Sequence, residues 1–145
     1  MGYAMQKQAQ QYQNHFLETS VSEATPYKLV ALLYENGIKH MKLMRLMIER
    51  KQIAAKTEQA NRVTSILYGL KAGLDMELGG DVAANLDALY NYIIKQVLTA
   101  SLNNDLVVLD EALGLLQDLQ EAWSLMPESY QRLTAAEIKA RQQVK

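Results

Sequence analysis

The stretch LDMELGGDVAANLDALYNYI at residues 74–93 decides the fold, because it contains a helix boundary between two apolar repeats. Gly79 and Gly80 predict the end of one helix, since a residue that is free to adopt positive φ closes a last helical turn. Asp81 predicts the start of the next helix, because an acidic side chain is favourable at the positive end of the helix dipole. Two helices joined by so short a connection are expected to run antiparallel.

Apolar residues recur at spacings of three and four on both sides of this boundary, which predicts amphipathic helices. The preceding stripe consists of Val63, Ile66, Leu67, Leu70 and Leu74, and the following stripe of Val82, Leu86, Leu89, Tyr90, Ile93 and Val97. Further out, Thr25 and Pro26 predict an N-cap and a first helical residue, and Pro127 predicts the end of a last helix. The pattern predicts four helices, over about residues 26–50, 53–78, 81–103 and 105–125.

Four helices with short connections predict an all-α fold, an antiparallel up-down four-helix bundle over residues 25–126. The chain is 49% hydrophobic and 21% charged, which is sufficient for a buried core. Residues 1–24 are rich in glutamine and lack a sustained helical stripe, so they predict a flexible leader able to dock over the bundle. Residues 127–145 predict a polar tail that is frayed or loosely docked.

The residue inventory argues against an enzyme or a metal carrier. No cysteine is present, which excludes a thiolate metal site and a cysteine nucleophile. Neither His15 nor His40 has the glutamate three residues earlier that a di-iron bundle site requires. Phosphate-loop glycine patterns and a G-x-S-x-G elbow are also absent. The sequence predicts no catalytic site, no cofactor and no metal, and it places His40 at the surface beside Lys39 and Lys42.

The charges of the chain sum to −1 but are unevenly distributed. Residues 1–74 carry ten Lys and Arg against five Asp and Glu, and residues 75–128 carry one against ten. A pI near 6.1, with no aromatic residues between the basic ones, argues against nucleic acid as a partner. No apolar run reaches the roughly 18 residues of a membrane span, and no signal segment precedes the bundle. We therefore expect a cytoplasmic protein without membrane insertion.

Apolar residues exceed a single stripe on the first and third helices. Beside the main stripe of the first helix lie Leu29, Leu32, Ile38, Leu43 and Met47. A bundle helix needs one apolar face of about 100°. A wider face indicates either burial among several helices or an outward groove for a partner's amphipathic helix, and periodicity leaves both open.

Residues 74–93 resemble the FliS family of flagellar export chaperones, whose most recognisable block is an LDMExGG turn followed by NLxxLYxYI. Further matches follow the family's order, at Tyr12, Thr25-Pro26, Leu33-Tyr34-Glu35 and Ala122-Trp123. The resemblance covers about residues 12–125. The chain departs from the family at Asn36-Gly37, where Gly-Ala is usual, and residues 128–145 extend beyond the usual end.

This resemblance implies a bundle that binds the disordered C-terminal segment of flagellin in the cytoplasm, prevents premature polymerisation and aids export. The flagellar export gate and an anti-sigma factor are further partners that it implies. The alternative is a helical adaptor or dimerisation bundle without a secretion role. A bundle enzyme or metal carrier is a further alternative, which the missing ligands disfavour.

We expect the partner groove on the side of the second and third helices, with help from the first. Its candidate residues are Tyr34, Leu70, Leu74, Leu86, Leu89, Tyr90 and Ile93. Tyr34 and Tyr90 are expected at its border, with buried rings and hydroxyls in water. In the leader, Tyr12, Phe16 and Leu17 are expected either to cover the groove until the client arrives or to fold back into the core.

Overall fold

The computed structural model describes residues 25–143, and within them every regular element is a helix. The four long helices are α1 (Pro26–Glu49), α2 (Ile53–Ala72), α3 (Gly80–Asn103) and α4 (Leu106–Ser124), followed by the short α5 (Glu128–Gln131) and α6 (Ala135–Gln143). Helices α1 and α3 each pack on both α2 and α4, so the long helices form a ring in which α1 and α3 are diagonal. The predicted all-α bundle is confirmed.

Side-chain caps begin two of the long helices. Thr25 Oγ1 accepts a hydrogen bond from the backbone N–H of Lys28 at 3.2 Å, with Pro26 in the first turn of α1. Asp105 Oδ1 accepts from the N–H of Val108, also at 3.2 Å. Each bond satisfies a backbone donor that has no partner inside the helix, which confirms the N-cap predicted at Thr25.

Helix α2 is shorter than the sequence predicts. It ends at Ala72 rather than near residue 78. The Asp75 carboxylate accepts hydrogen bonds from the backbone N–H groups of Glu77 at 3.1 Å and Leu78 at 2.9 Å. This side-chain-to-backbone turn competes with a continued helix, and the apolar spacing of Leu74 could not reveal it.

The two glycines before α3 have separate roles. Gly80 adopts a φ of +50°, so the positive φ begins α3 and does not close α2 as predicted. Gly79 permits a close approach, because a Cβ there would lie 2.5 Å from the Cβ of Ala83 and 2.7 Å from the carbonyl oxygen of Asp75. The pair Gly79-Gly80 therefore fixes the entry of the chain into α3.

A close helix approach explains one departure from the family pattern. Gly37 of α1 faces α2 and α4, and a Cβ there would lie 3.0 Å from Leu116 Cδ2 and 3.3 Å from Ile66 Cγ2. Both of those side chains are fully buried. Because core packing leaves little space for relaxation, the glycine lets α1 approach its two neighbours.

One end of the bundle, which we call the closed end, contains the α1–α2 and α3–α4 connections. Lys56 lies there with only 7% of its surface exposed. Its Nζ donates to the carbonyl oxygen of Ser101 at 2.7 Å and to Asn104 Oδ1 at 2.8 Å. Asn104 ends α3 in the left-handed region, at φ 52°. The ammonium thus satisfies a terminal carbonyl of α3 at the negative end of its dipole.

His40 is not the surface residue that the sequence suggests. Its side chain is buried between α1 and α2, and its Nδ1 lies 2.7 Å from Oε1 of Gln59. Burial lowers the pKa of the imidazole, and the hydrogen bond with Gln59 partly opposes that shift. The neighbouring Lys39 and Lys42 point to solvent, but the helical period turns His40 inward.

The tail also has more structure than expected. Its described part contains α5 and α6, and α5 packs on α1. Leu133 is buried, and Gln131 Nε2 donates to the carbonyl oxygen of Met126 at 2.7 Å. The apolar residues of the tail were too sparse in the sequence to define a face. The docking of the tail depends on one buried leucine and one hydrogen bond to Met126, just after α4.

Candidate functional site

An apolar cleft of about 540 Å³ lies at the other end of the bundle, which we call the open end. This end contains the start of α1, the α2–α3 connection and the end of α4. From α1 and α2 the cleft is lined by Pro26, Leu29, Val30, Leu33, Tyr34, Gly69 and Leu70. From the α2–α3 connection, α3, α4 and the residues after it, the lining consists of Gly73, Leu74, Val82, Leu86, Tyr90, Leu119, Ala122, Trp123 and Met126.

The cleft leaves apolar side chains partly exposed on a concave surface. Its half-buried side chains pack against the core while still facing the cleft; they are Val30, Leu74, Leu86, Leu119 and Trp123. Val82 lines the cleft with 69% of its surface exposed. A concave apolar surface of this kind gains free energy when a complementary apolar face displaces its water.

Trp123 forms a rigid wall of the cleft. Its indole N–H donates to the backbone carbonyl of Tyr27 at 3.0 Å. Its ring stacks on that of Tyr27, with centroids 5.7 Å apart and planes within 7°. On its other side a smaller cavity of about 310 Å³ is lined by Trp123, Tyr27, Glu35 and Glu121, among others. The hydrogen bond and the stacking together hold the indole between the two cavities.

Two buried tyrosines meet in the cleft lining. The hydroxyl oxygens of Tyr34 and Tyr90 lie 2.6 Å apart, and the side chains are 3% and 2% exposed. Burial raises the pKa of both phenols, so both remain neutral. The prediction that their hydroxyls stay in water is wrong. Helices α1 and α3 are diagonal in the ring, and inward-facing tyrosines on them reach each other across the bundle.

The structure brings together five of the ten predicted partner-binding residues. Tyr34, Leu70, Leu74, Leu86 and Tyr90 all line the cleft. Ile93 is fully buried, and Leu89 is half-buried against the core outside the cleft lining. Tyr12, Phe16 and Leu17 lie outside the described residues.

Sequence reasoning missed the contribution of α4. Leu119, Trp123 and Met126 complete the cleft, although the groove was expected on the α2–α3 side with help from α1. One signal of a wider cleft was available in α1. Its surplus apolar residues, such as Leu29, lie beside the main stripe and line the cleft. The motif at Ala122-Trp123 was a second signal, since both residues line it.

Residues 25–143 contain neither a metal-binding cluster nor a membrane-spanning helix. There, no group of three or more His, Cys, Asp or Glu side chains is arranged to hold a metal ion. In the same part of the chain, no helix combines the length and the apolar character that crossing a membrane requires.

Comparison with known proteins assigns the family. The family model described as flagellar protein FliS matches residues 8–130. The chain belongs to the FliS family. This FliS-family chain is 39% identical over 121 residues to the flagellar secretion chaperone FliSB of Pseudomonas aeruginosa, covering 83% of this chain and 95% of that protein. It is 31% identical over 134 residues to the flagellar secretion chaperone FliS of Vibrio cholerae, covering 92% and 98% respectively.

A third relative is the flagellar secretion chaperone FliS of Salmonella typhimurium, 39% identical over 108 residues, or 74% of this chain and 80% of that protein. The resemblance read from residues 74–93 is therefore confirmed. In this FliS-family chain the same block supplies Leu74, Val82, Leu86 and Tyr90 to the cleft. The most family-like stretch therefore lines the apolar cleft. Helix α6 lies beyond the residues that the family model matches.

Proposed function

We propose that this FliS-family chain is a cytoplasmic secretion chaperone that binds the disordered C-terminal segment of flagellin in the apolar cleft. In this role it prevents premature polymerisation of flagellin and aids its export. The observation that carries the proposal is the apolar cleft of about 540 Å³, in a chain whose relatives are named flagellar secretion chaperones.

The chemistry of the cleft favours an amphipathic helix as its occupant. A helix lying in such a groove presents apolar anchors at spacings of three, four and seven residues. Each large apolar side chain that leaves water contributes about 1.5–3 kcal/mol. Ordering a disordered segment costs several kcal/mol, which keeps the affinity moderate and permits release. While bound, the apolar face of the client is not available for assembly.

The predicted residues within residues 25–143 divide into three roles in this proposal. Leu70, Leu74 and Leu86 contact the client from the walls of the cleft. Leu89 and Ile93 act indirectly, by packing α3 against the core so that its outer face keeps its position. Tyr34 and Tyr90 form the polar part of the lining.

We further propose that Tyr12, Phe16 and Leu17 compete with the client for the cleft. The leader joins the bundle at Thr25, and the next residue, Pro26, lines the cleft. Removing residues 1–17 is expected to raise the affinity for the client and to leave the melting temperature nearly unchanged. A collapse of the melting temperature would instead indicate that this segment belongs to the core.

We also propose the export gate and an anti-sigma factor as further partners. We propose no nucleic acid partner.

Titration of the intact chain with a synthetic, tryptophan-free C-terminal segment of flagellin tests the proposal. We expect saturable heat in calorimetry and a gain in helicity above the sum of the components in circular dichroism. The emission of Trp123 should change with the same midpoint, because this is the single tryptophan of the chain and a wall of the cleft. Absence of binding, together with a concentration-dependent dimer in light scattering, would favour a dimerisation bundle.

A further inference from the structure

The hydroxyl pair of Tyr34 and Tyr90 has one hydrogen-bond donor more than the protein uses. Two hydroxyls carry two O–H groups, and the 2.6 Å contact between their oxygens occupies one of them. Within residues 25–143 neither hydroxyl has another hydrogen-bond partner. The second O–H therefore remains to be satisfied from outside the bundle's own side chains.

The side chains of the cleft lining offer this O–H no other acceptor of comparable strength. Apart from the two tyrosines, its side chains are hydrocarbon except for Trp123 and Met126. The indole of Trp123 is a donor already committed to the carbonyl of Tyr27. The thioether of Met126 is only a weak acceptor. The tyrosine pair is thus the single oxygen-bearing side-chain group among the described residues of the cleft lining.

Tyr34 and Tyr90 are only 3% and 2% exposed, and an amphipathic helix that fills the cleft removes this remaining access to water. If the face of that helix were wholly apolar, the remaining O–H would be buried without an acceptor, which costs free energy. A segment that places an oxygen atom opposite the pair avoids this cost. A site built to form a hydrogen bond in this way rejects ligands that lack the matching group.

We propose that the Tyr34–Tyr90 pair determines client specificity by donating its free O–H to an oxygen atom of the bound flagellin segment. The acceptor is the oxygen of a polar side chain on the face of the segment that lies in the cleft. The pair distinguishes this segment from other amphipathic helices of equal apolar area. This inference rests on the function proposed above. The raised pKa of both phenols is consistent with it, because it keeps both groups protonated as donors.

Calorimetric titration with the synthetic flagellin segment tests the inference. The variants are Tyr34→Phe, Tyr90→Phe and the double variant, which keep the rings and remove the hydroxyls. Tyr92→Phe is the matched control, because the Tyr92 hydroxyl is exposed, bonds to Glu111 and lies outside the cleft lining. We expect the double variant to bind at least tenfold more weakly, a change of about 1.4 kcal/mol, and Tyr92→Phe to bind like the wild type. One single variant should reproduce most of the loss, because one hydroxyl carries the free proton.

The outcomes separate the inference from the proposed function. If the wild type does not bind the segment, the proposed function is wrong. If the wild type binds and the double variant binds equally well or more tightly, the specificity inference is overturned while the proposed function stands. Circular dichroism verifies folding of each variant. If the double variant does not fold, the single variants decide, and wild-type affinity in both of them contradicts the inference.

Discussion

The two ends of the bundle use the same four helices for different purposes. Six core side chains in the closed half are completely inaccessible; they are Met41, Met44, Val63, Val97, Leu109 and Ala112, all 0% exposed. At the open end, five large side chains that pack on the core remain half-exposed to the cleft. The difference shows how a small bundle keeps apolar surface available to a partner. Burial at the closed end stabilises the fold, so apolar side chains at the open end can remain partly exposed for binding.

The connections between helices account for this difference. At the closed end, residues 50–52 and 104–105 link the helices directly, and Lys56 and Asp105 satisfy backbone groups there. At the open end, the α2–α3 connection is longer and is organised by the Asp75 turn. At this end α1 and α4 are not linked to each other as consecutive helices. The short connections therefore keep consecutive helix ends close together at the closed end.

The largest expected effect is a loss of stability, and it differs between a leucine at the closed end and one at the open end. Leu109→Ala should reduce the free energy of unfolding by about 2–5 kcal/mol, because it leaves a cavity in a fully buried site. Leu74→Ala should reduce it by no more than about 1 kcal/mol, since this side chain already faces the cleft. Urea denaturation followed by circular dichroism measures both. Equal losses would show that the two ends are equally involved in stability.

The buried lysine provides the next comparison. Lys56→Met keeps the aliphatic stem but leaves the Ser101 carbonyl and the Asn104 amide without their donor. We expect a loss of about 1–3 kcal/mol in the free energy of unfolding. Binding of the flagellin segment, measured by calorimetry on the folded variant, should not change. A parallel loss of affinity would mean that the closed end also contacts or organises the binding surface.

Two exposed valines test the binding side of the comparison. Val82→Glu adds a charge to the rim of the cleft, at a position that is 69% exposed, and should weaken segment binding at least tenfold, or about 1.4 kcal/mol. The matched change Val107→Glu, at an 80% exposed position of the closed end, should leave affinity unaltered. Both variants should keep their stability to within about 0.5 kcal/mol. Similar affinities for the two would place the binding surface elsewhere. Tyr90 is unsuitable for such a charge because it is buried.

The smallest effect concerns pH. Burial lowers the pKa of His40 in the folded chain relative to an ordinary value of 6.5. The unfolded chain therefore binds the proton more readily, and the contribution to stability is present above pH 6.5 and declines as the pH falls below it. His40→Gln should flatten the fall in melting temperature between neutral and mildly acidic pH. An unchanged pH profile would show that His40 is not a determinant of it.

Much of the fold could be predicted from local signals. The caps at Thr25 and Asp105 act on backbone groups three residues away, so a sequence pattern can reveal them. The end of α2 could not be predicted from apolar spacing, because Leu74 continues the stripe while the Asp75 carboxylate ends the helix. Sequence pattern identifies a helical face more reliably than the residue at which the helix stops.

The candidate site was predictable only in part, because it depends on contacts between distant residues. Of the partner-binding residues predicted from the block at 74–93, Leu74, Leu86 and Tyr90 line the cleft. Spacing along one helix does not reveal which neighbour it faces, so the α4 wall with Trp123 was missed. For the same reason the contact of Tyr34 with Tyr90, across the diagonal of the ring, had no signature in either helix alone.

The division between a closed end and a binding end is tested most directly by nuclear magnetic resonance of the ¹⁵N-labelled chain, titrated with the flagellin segment. Backbone amide shifts report on each residue separately. We predict saturable shift changes concentrated in residues 26–34, 69–74, 82–90 and 119–126, with little change in residues 50–60 and 100–112. Saturable changes centred on the latter two ranges, with the cleft residues unaffected, would contradict the account.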